Sequence, residues 1–179
     1  PRTAKDARTI LIWGANPSHS APHQDMVFVR RAAEAGAKVI VVDPIGHDTA
    51  LAADMHLKLR PGTDAALAFA FLNVMREKEL VDQAFLDEHV LGAGELDAAI
   101  DSMTPARAAE LCGLPADLIE EAATAYATGP SLLWLGQGVH ELHHTAKSLA
   151  RRRLYPGLFT AVFFVGLMSL PGLAVLALR

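Results

Sequence analysis

One cysteine, Cys112, stands in a chain of 179 residues, and that scarcity removes whole classes of chemistry. A single thiol closes no intrachain disulfide, builds no CxxC zinc knuckle and holds no cysteine-ligated iron–sulfur cluster. Basic excess is missing too: 16 Lys and Arg face 20 Asp and Glu, a net charge of −4. Nucleic acid is therefore excluded as a partner, because a protein that tracks phosphates needs a positive field. The start carries neither an initiator Met nor an apolar signal segment, so export is not read from it, and Pro1 looks like a cut edge. Disorder is excluded by the 51% of hydrophobic residues. A chain of this length buries a sizeable core as one domain, or as one domain with an appendage.

What is present alternates between strand and helix patterns. Thr9 to Trp13, TILIW, is a continuous apolar run suited to a strand covered on both faces. Residues 24–35 have a helical pattern that Gly36 ends, and Lys38 to Asp43, KVIVVD, forms a second buried strand. Such a βαβ unit puts both strands in one parallel sheet, with their carboxyl-end loops at the same edge. Met55 to Arg60, MHLKLR, alternates as a half-exposed third strand does. PGTD then breaks the chain, and Thr63 is placed to cap a helix whose apolar stripe is Leu67, Phe71 and Val74. Short helices fill residues 81–128, with a start at Thr104-Pro105 and another helix opened by Pro115 and stopped by Gly129; Leu118, Ala122 and Tyr126 share its buried face. Ser131 to Gly138, SLLWLGQG, is a fourth buried strand that ends in a glycine loop. The expected fold is α/β: a Rossmann-like parallel sheet flanked by helices, with a helical insertion and an apolar C-terminal helix.

That last element is residues 154–178, which hold no charged residue and follow Arg151, Arg152 and Arg153. About 20 apolar residues cross a bilayer, and flanking arginines favour the cytoplasmic side. Pro156, Gly157, Pro171 and Gly172 interrupt the run. A membrane span and a buried helix or strand pair of a larger domain both remain open, as do cytoplasmic and membrane-associated locations.

Three features at strand exits carry chemistry. WGANPSHS, from Trp13 to Ser20, places Gly14 and Asn16 directly after the first strand. Glycine lets a backbone approach a ligand closely, and an amide at a helix start can bind a phosphate or a heterocycle edge. The loop is not a GxGxxG, so taken alone it is weak. Asp43 ends the second strand 29 residues after Gly14, where an acid for a ribose hydroxyl is wanted. Asp64 heads a helix, where a carboxylate can accept from both N1 and N2 of a guanine. Complementing the helix dipole also explains Asp64, and for either Asp taken alone the structural explanation is the favoured one.

Taken in order, WGANP, VVDP, RPGTDAAL, VDQAFLDEH and WLGQG resemble the molybdopterin oxidoreductase family of the dimethyl-sulfoxide-reductase and formate-dehydrogenase type, over about residues 9–138. The resemblance implies that residues 1–138 are the α/β domain holding molybdopterin guanine dinucleotide, with molybdenum as the metal. It implies that Gly14 and Asn16, beside Trp13, line the pterin and phosphate side. Asp43 and Pro44 reach the ribose or guanine, Thr63 and Asp64, beside Gly62, grip the guanine, and Gly136, Gln137 and Gly138 close the pocket. It implies as partners the remaining domains or subunits of the oxidoreductase and a small-molecule substrate. Ile45 stands where the family often has Arg, so a charged contact is missing or comes from elsewhere. The family's metal-ligating residue and any iron–sulfur cysteines lie upstream of this region. The expectation is a partial enzyme that does not turn over substrate by itself, with Cys112 a small core residue.

Past Gly138 this resemblance ends, and HELHH, His140 to His144, opens a basic, His-rich linker over residues 139–153. His140, Glu141 and His144 fit HExxH, while His140, His143 and His144 resemble the HxxHH box of membrane di-iron hydroxylases. Residues 145–179 hold no His, Asp or Glu for a third zinc ligand, and the other close pair, His19 and His23, flanks Pro22 in a loop. A chance polar cluster is the favoured reading. The switch to an unrelated apolar tail suggests a truncated, frame-shifted or spliced coding sequence. Two alternatives stand beside the leading one: a membrane-anchored nucleotide-binding module without catalysis, and a metal-dependent membrane hydrolase or hydroxylase built on His140, His143 and His144.

Overall fold

The structure is a computed structural model that describes residues 2–23 and 25–135. A four-stranded parallel sheet forms its centre, in the order β3-β2-β1-β4. Its strands are β1 (Thr9–Trp13), β2 (Lys38–Val42), β3 (Met55–Leu57) and β4 (Ser131–Leu135). β1 is buried at all five positions, as its unbroken apolar run requires of a strand with neighbours on both sides and helices on both faces.

Alternation along the strands sorts the core into two layers. On one face Leu11, Trp13, Ile40, Val42, Met55 and Leu57 pack against Leu67, Phe71 and Val74 of α4 (Asp64–Glu77), Ala108 of α7 (Pro105–Cys112), and Ile119 and Ala122 of α8 (Ala116–Ala127). On the other, Ile10, Ile12, Val39 and Val41 pack against Met26 and Val29 of α2 (Asp25–Glu34) and Ala4 of an N-terminal 3-10 turn. Burying one such aliphatic or aromatic side chain contributes about 1.5–3 kcal/mol. Polar ties hold the layers: Thr9 Oγ1 donates to Ala125 O at 2.8 Å, and Asn73 Nδ2 to Ile100 O at 3.2 Å. Arg76, near the end of α4, pairs with Asp97 and Asp101 of α6 (Asp97–Ser102).

Remaining helices are short: α1 (Pro17–Ser20), α3 (Asp48–Leu51) and α5 (Gln83–His89). The α/β class and the helical insertion, α5 to α8, match the sequence pattern. Four details differ. β2 ends at Val42 and β3 at Leu57, before the expected Asp43 and Arg60, because Leu59 N–H turns back to Leu57 O and the ladder closes with Asp43 N–H donating to Leu57 O. Thr63 occupies the N-cap position of α4 without capping through its side chain; its hydroxyl donates to Arg60 O instead. Leu118 is half-buried, and Ile119 takes the fully buried place in α8. β4 is half-buried throughout rather than buried, being the edge strand of the described sheet. Among the described residues no helix is long and apolar enough to cross a membrane. The expected apolar C-terminal helix, the His140–His144 cluster and Gly136, Gln137 and Gly138 lie outside the described residues.

Candidate functional site

The strand order reverses direction at β1: β2 and β3 extend the sheet one way, and β4 returns to the other side of β1. In open parallel sheets, ligands bind outside the carboxyl ends of the strands at such a reversal. Trp13, the last residue of β1, is in register with Leu135, the last of β4, and with Val42, the last of β2. The loop from Gly14 and the turn from Asp43 therefore start side by side, next to the end of β4 at Leu135.

Gly14 adopts φ +61° and Gly62 φ +84°, a region that side chains rarely enter. At both, the place a Cβ would fill has no atom within 4 Å. Each is a turn with open space against its backbone, which is the room a close-lying ligand needs.

Asp64 is the first residue of α4, and Trp13 Nε1 donates to its Oδ1 at 2.8 Å. Trp13 in turn meets Phe71 edge-on, ring centres 5.9 Å apart. The carboxylate is thus held by a residue 51 positions away, a contact with no local sequence signal. One oxygen of an ionised carboxylate can accept twice, so this bond leaves acceptor capacity on both oxygens.

Asp43 is 9% exposed, and its Oδ1 accepts from Ile45 N–H at 2.8 Å. That is an Asx turn, with Pro44 at the corner, and it provides a structural reason for the DP pair. Its Oδ2 lies 3.4 Å from His47 Nε2, and its backbone carbonyl 2.8 Å from His56 Nε2. Asp43 continues the Val39–Val41 alternation and meets His47, the cap of α3, whose Ala50 belongs to the same layer. Asp64 heads the helix of the opposite layer. A ligand touching both carboxylates lies across the top of the strands, not inside either layer.

Asn16 Oδ1 accepts from the buried Thr49 Oγ1 at 2.8 Å, and Thr49 accepts from Ser18 N–H at 3.0 Å. These bonds stitch α1 to α3, so Asn16 also braces the two loops that rim the edge. The Asp43–His47 pair, four residues apart, was within reach of sequence reasoning; the Asn16–Thr49 and Trp13–Asp64 bonds were not. Cys112 is buried in the helical layer, its Sγ donating to Thr63 O at 3.6 Å. Burial pushes its thiol up from the usual range, as befits a core residue. Among the described residues no group of three His, Cys, Asp or Glu side chains is gathered to hold a metal ion.

Comparison with known proteins agrees with this architecture. The family model described as molybdopterin oxidoreductase matches residues 3–166. The chain is 35% identical over 136 residues to an assimilatory nitrate reductase of Haloferax mediterranei, covering 76% of this chain and 18% of that protein. It is 34% identical over 153 residues to formate dehydrogenase H of Escherichia coli, covering 83% and 21%. The solved acetylene hydratase of Pelobacter acetylenicus superposes with a TM-score of 0.65 at 30% identity, over 77% of this chain and 19% of that one. The chain thus spans about a fifth of the length of these relatives. The family match passes Gly138, where the sequence motifs stop, and takes in His140 to His144, so the alternative built on that cluster is not better supported. On a match covering most of its length, the chain belongs to the molybdopterin oxidoreductase family.

Proposed function

We propose that this domain holds the guanosine end of a molybdopterin guanine dinucleotide across the carboxyl edge of its sheet, within an oxidoreductase whose other domains or subunits supply the metal ligand and any iron–sulfur cluster. The observation that carries this reading is the Trp13–Asp64 hydrogen bond at the strand-order reversal, where the open Gly14 turn leaves β1; the Asx turn of Asp43 at the end of β2 supports it. When bound, the cofactor supplies two-electron or oxygen-atom transfer at molybdenum; the protein supplies grip and orientation.

Each residue then has a task. Asp64, held by Trp13, accepts from the guanine N1–H and N2–H₂, a pair of donors that adenine lacks. Asp43, turned by Pro44, takes the ribose hydroxyls. Gly14 and Gly62 admit the ligand close to the backbone, and Asn16 and Thr63 contribute polar groups to the phosphate side and the guanine. Gly136, Gln137 and Gly138, which follow β4 in the sequence, are assigned the closing of the pocket. Ile45, 65% exposed, offers no charge to a phosphate. The relatives are named for nitrate, formate and acetylene chemistry, so a domain common to all of them is concerned with the shared cofactor and not with the choice among small-molecule substrates.

Calorimetric titration of the 179-residue chain with GDP and with ADP tests the reading. GDP binds at least about tenfold more tightly, and Asp64→Asn, which replaces an acceptor by a donor, abolishes the difference. Equal affinity for the two nucleotides overturns it. The chain by itself shows no turnover of formate or nitrate when supplied with molybdenum; measured molybdenum-dependent turnover would contradict a purely binding role.

A further inference from the structure

His47 caps α3 through its side chain: Nδ1 accepts from Ala50 N–H at 3.2 Å. A ring nitrogen that accepts carries no proton, so the neutral imidazole has its hydrogen on Nε2. Among the described residues, this Nε2 is the one buried side-chain nitrogen or oxygen without a hydrogen-bond partner. Buried donors are nearly always bonded, so an orphan calls for a reason. Asp43 Oδ2 stands 3.4 Å away, within ion-pair reach but outside good hydrogen-bond geometry. The other oxygen of that carboxylate, Oδ1, already accepts from Ile45 N–H, and the main-chain oxygen of Asp43 lies 2.8 Å from His56 Nε2.

We infer that His47 is a positioning residue: its Nε2–H closes onto Asp43 Oδ2 when Asp43 engages a vicinal diol, aligning the carboxylate with the two ribose hydroxyls. Resting on the ribose role proposed for Asp43, this makes His47 a determinant of preference for an intact ribose. Asp43 is then held on both oxygens, by Ile45 N–H on one and His47 Nε2–H on the other, and its remaining lone pairs face the sugar. The capping bond of Nδ1 selects the tautomer, so the short helix α3 serves to aim a proton.

Two substitutions separate capping from positioning. His47→Asn keeps a good N-cap acceptor for Ala50 N–H but has nothing at the Nε2 position. His47→Gln extends an amide N–H toward Asp43 but gives up the cap. The 179-residue chain is titrated with GDP and with 2′,3′-dideoxyguanosine 5′-diphosphate, and thermal melting is recorded in parallel. The wild type prefers GDP by about tenfold, the size of one charge-assisted hydrogen bond. His47→Asn melts like the wild type and loses that preference; His47→Gln melts lower and retains it. Full preference in His47→Asn overturns the role of His47 while leaving the ribose reading intact, provided Asp43→Asn abolishes the preference. If Asp43→Asn keeps the preference, or the wild type has none, both fall together.

Discussion

Tyr126 shows how much a single buried group can couple the fold to solvent. It lies on the inner face of α8 at 6% exposure, and burial pushes its phenol up to about 12. A phenol that ionises later in the folded state than in the unfolded chain stabilises the fold below the unfolded value near 10, and that contribution is lost as pH rises toward 12. The difference of about two units corresponds to roughly 2–3 kcal/mol. Urea titrations at pH 9 and pH 11.5 are expected to show this alkaline loss in the wild type and a much smaller one in Tyr126→Phe. Equal losses in both would mean that the phenol does not drive it. At the same scale Trp13 is both core and site, since its ring packs on Phe71 while its N–H orients Asp64. Replacing Trp13 by Phe is expected to keep most of the packing while weakening GDP binding about tenfold, the value of a hydrogen bond to a charged group. Unchanged GDP affinity by calorimetry would remove Trp13 from the site.

Elements tell the same story through their caps. Thr63 and Thr104 both precede helices, and local pattern treats them alike. In the structure Thr104 is extended, φ −65° and ψ 158°, and its hydroxyl accepts from Arg107 N–H. Thr63 sits at φ −105° and ψ 12° after the left-handed Gly62, a backbone that turns the hydroxyl back to Arg60 O. Side-chain capping works from the extended region. Thr104→Ala is therefore expected to cost about 1 kcal/mol of unfolding free energy, and Thr63→Ala within about 0.5 kcal/mol, measured by chemical denaturation. The legible part of each helix was its apolar period and its proline. Cap geometry was illegible, because it depends on where the preceding turn has left the chain.

Across the molecule the sheet is shared by two core layers, so neither stands without it. Phe71 is fully buried between the sheet and the helical layer. Phe71→Ala is expected to cost about 3–5 kcal/mol and to shift far-UV and tyrosine–tryptophan signals together, as one cooperative transition. Two separated transitions would show that the layers unfold independently. Asp43 and Asp64, both expected at one site, meet the sheet from opposite layers: Asp64 is tied to Trp13 on one, and Asp43 stands beside His47 on the other. The motif residues were legible, because glycine, proline and aspartate after apolar runs are local signals of turns and strand exits. Thr49, which braces Asn16 from the side, was not, since nothing around it marks a partner across the edge.

By itself the sequence determined the main strands and helices and their alternation, because hydrophobic period and turn chemistry act over a few residues. It also carried enough ordered motifs to announce the family. Only tertiary structure decided that β4 joins β1 rather than β3, that Trp13 seizes Asp64 from 51 residues away, and that the hydroxyl of Thr49 reaches Asn16 across the edge. Such contacts form when packing closes long loops, and the cost of that closure is set by the whole chain, so no short stretch encodes them.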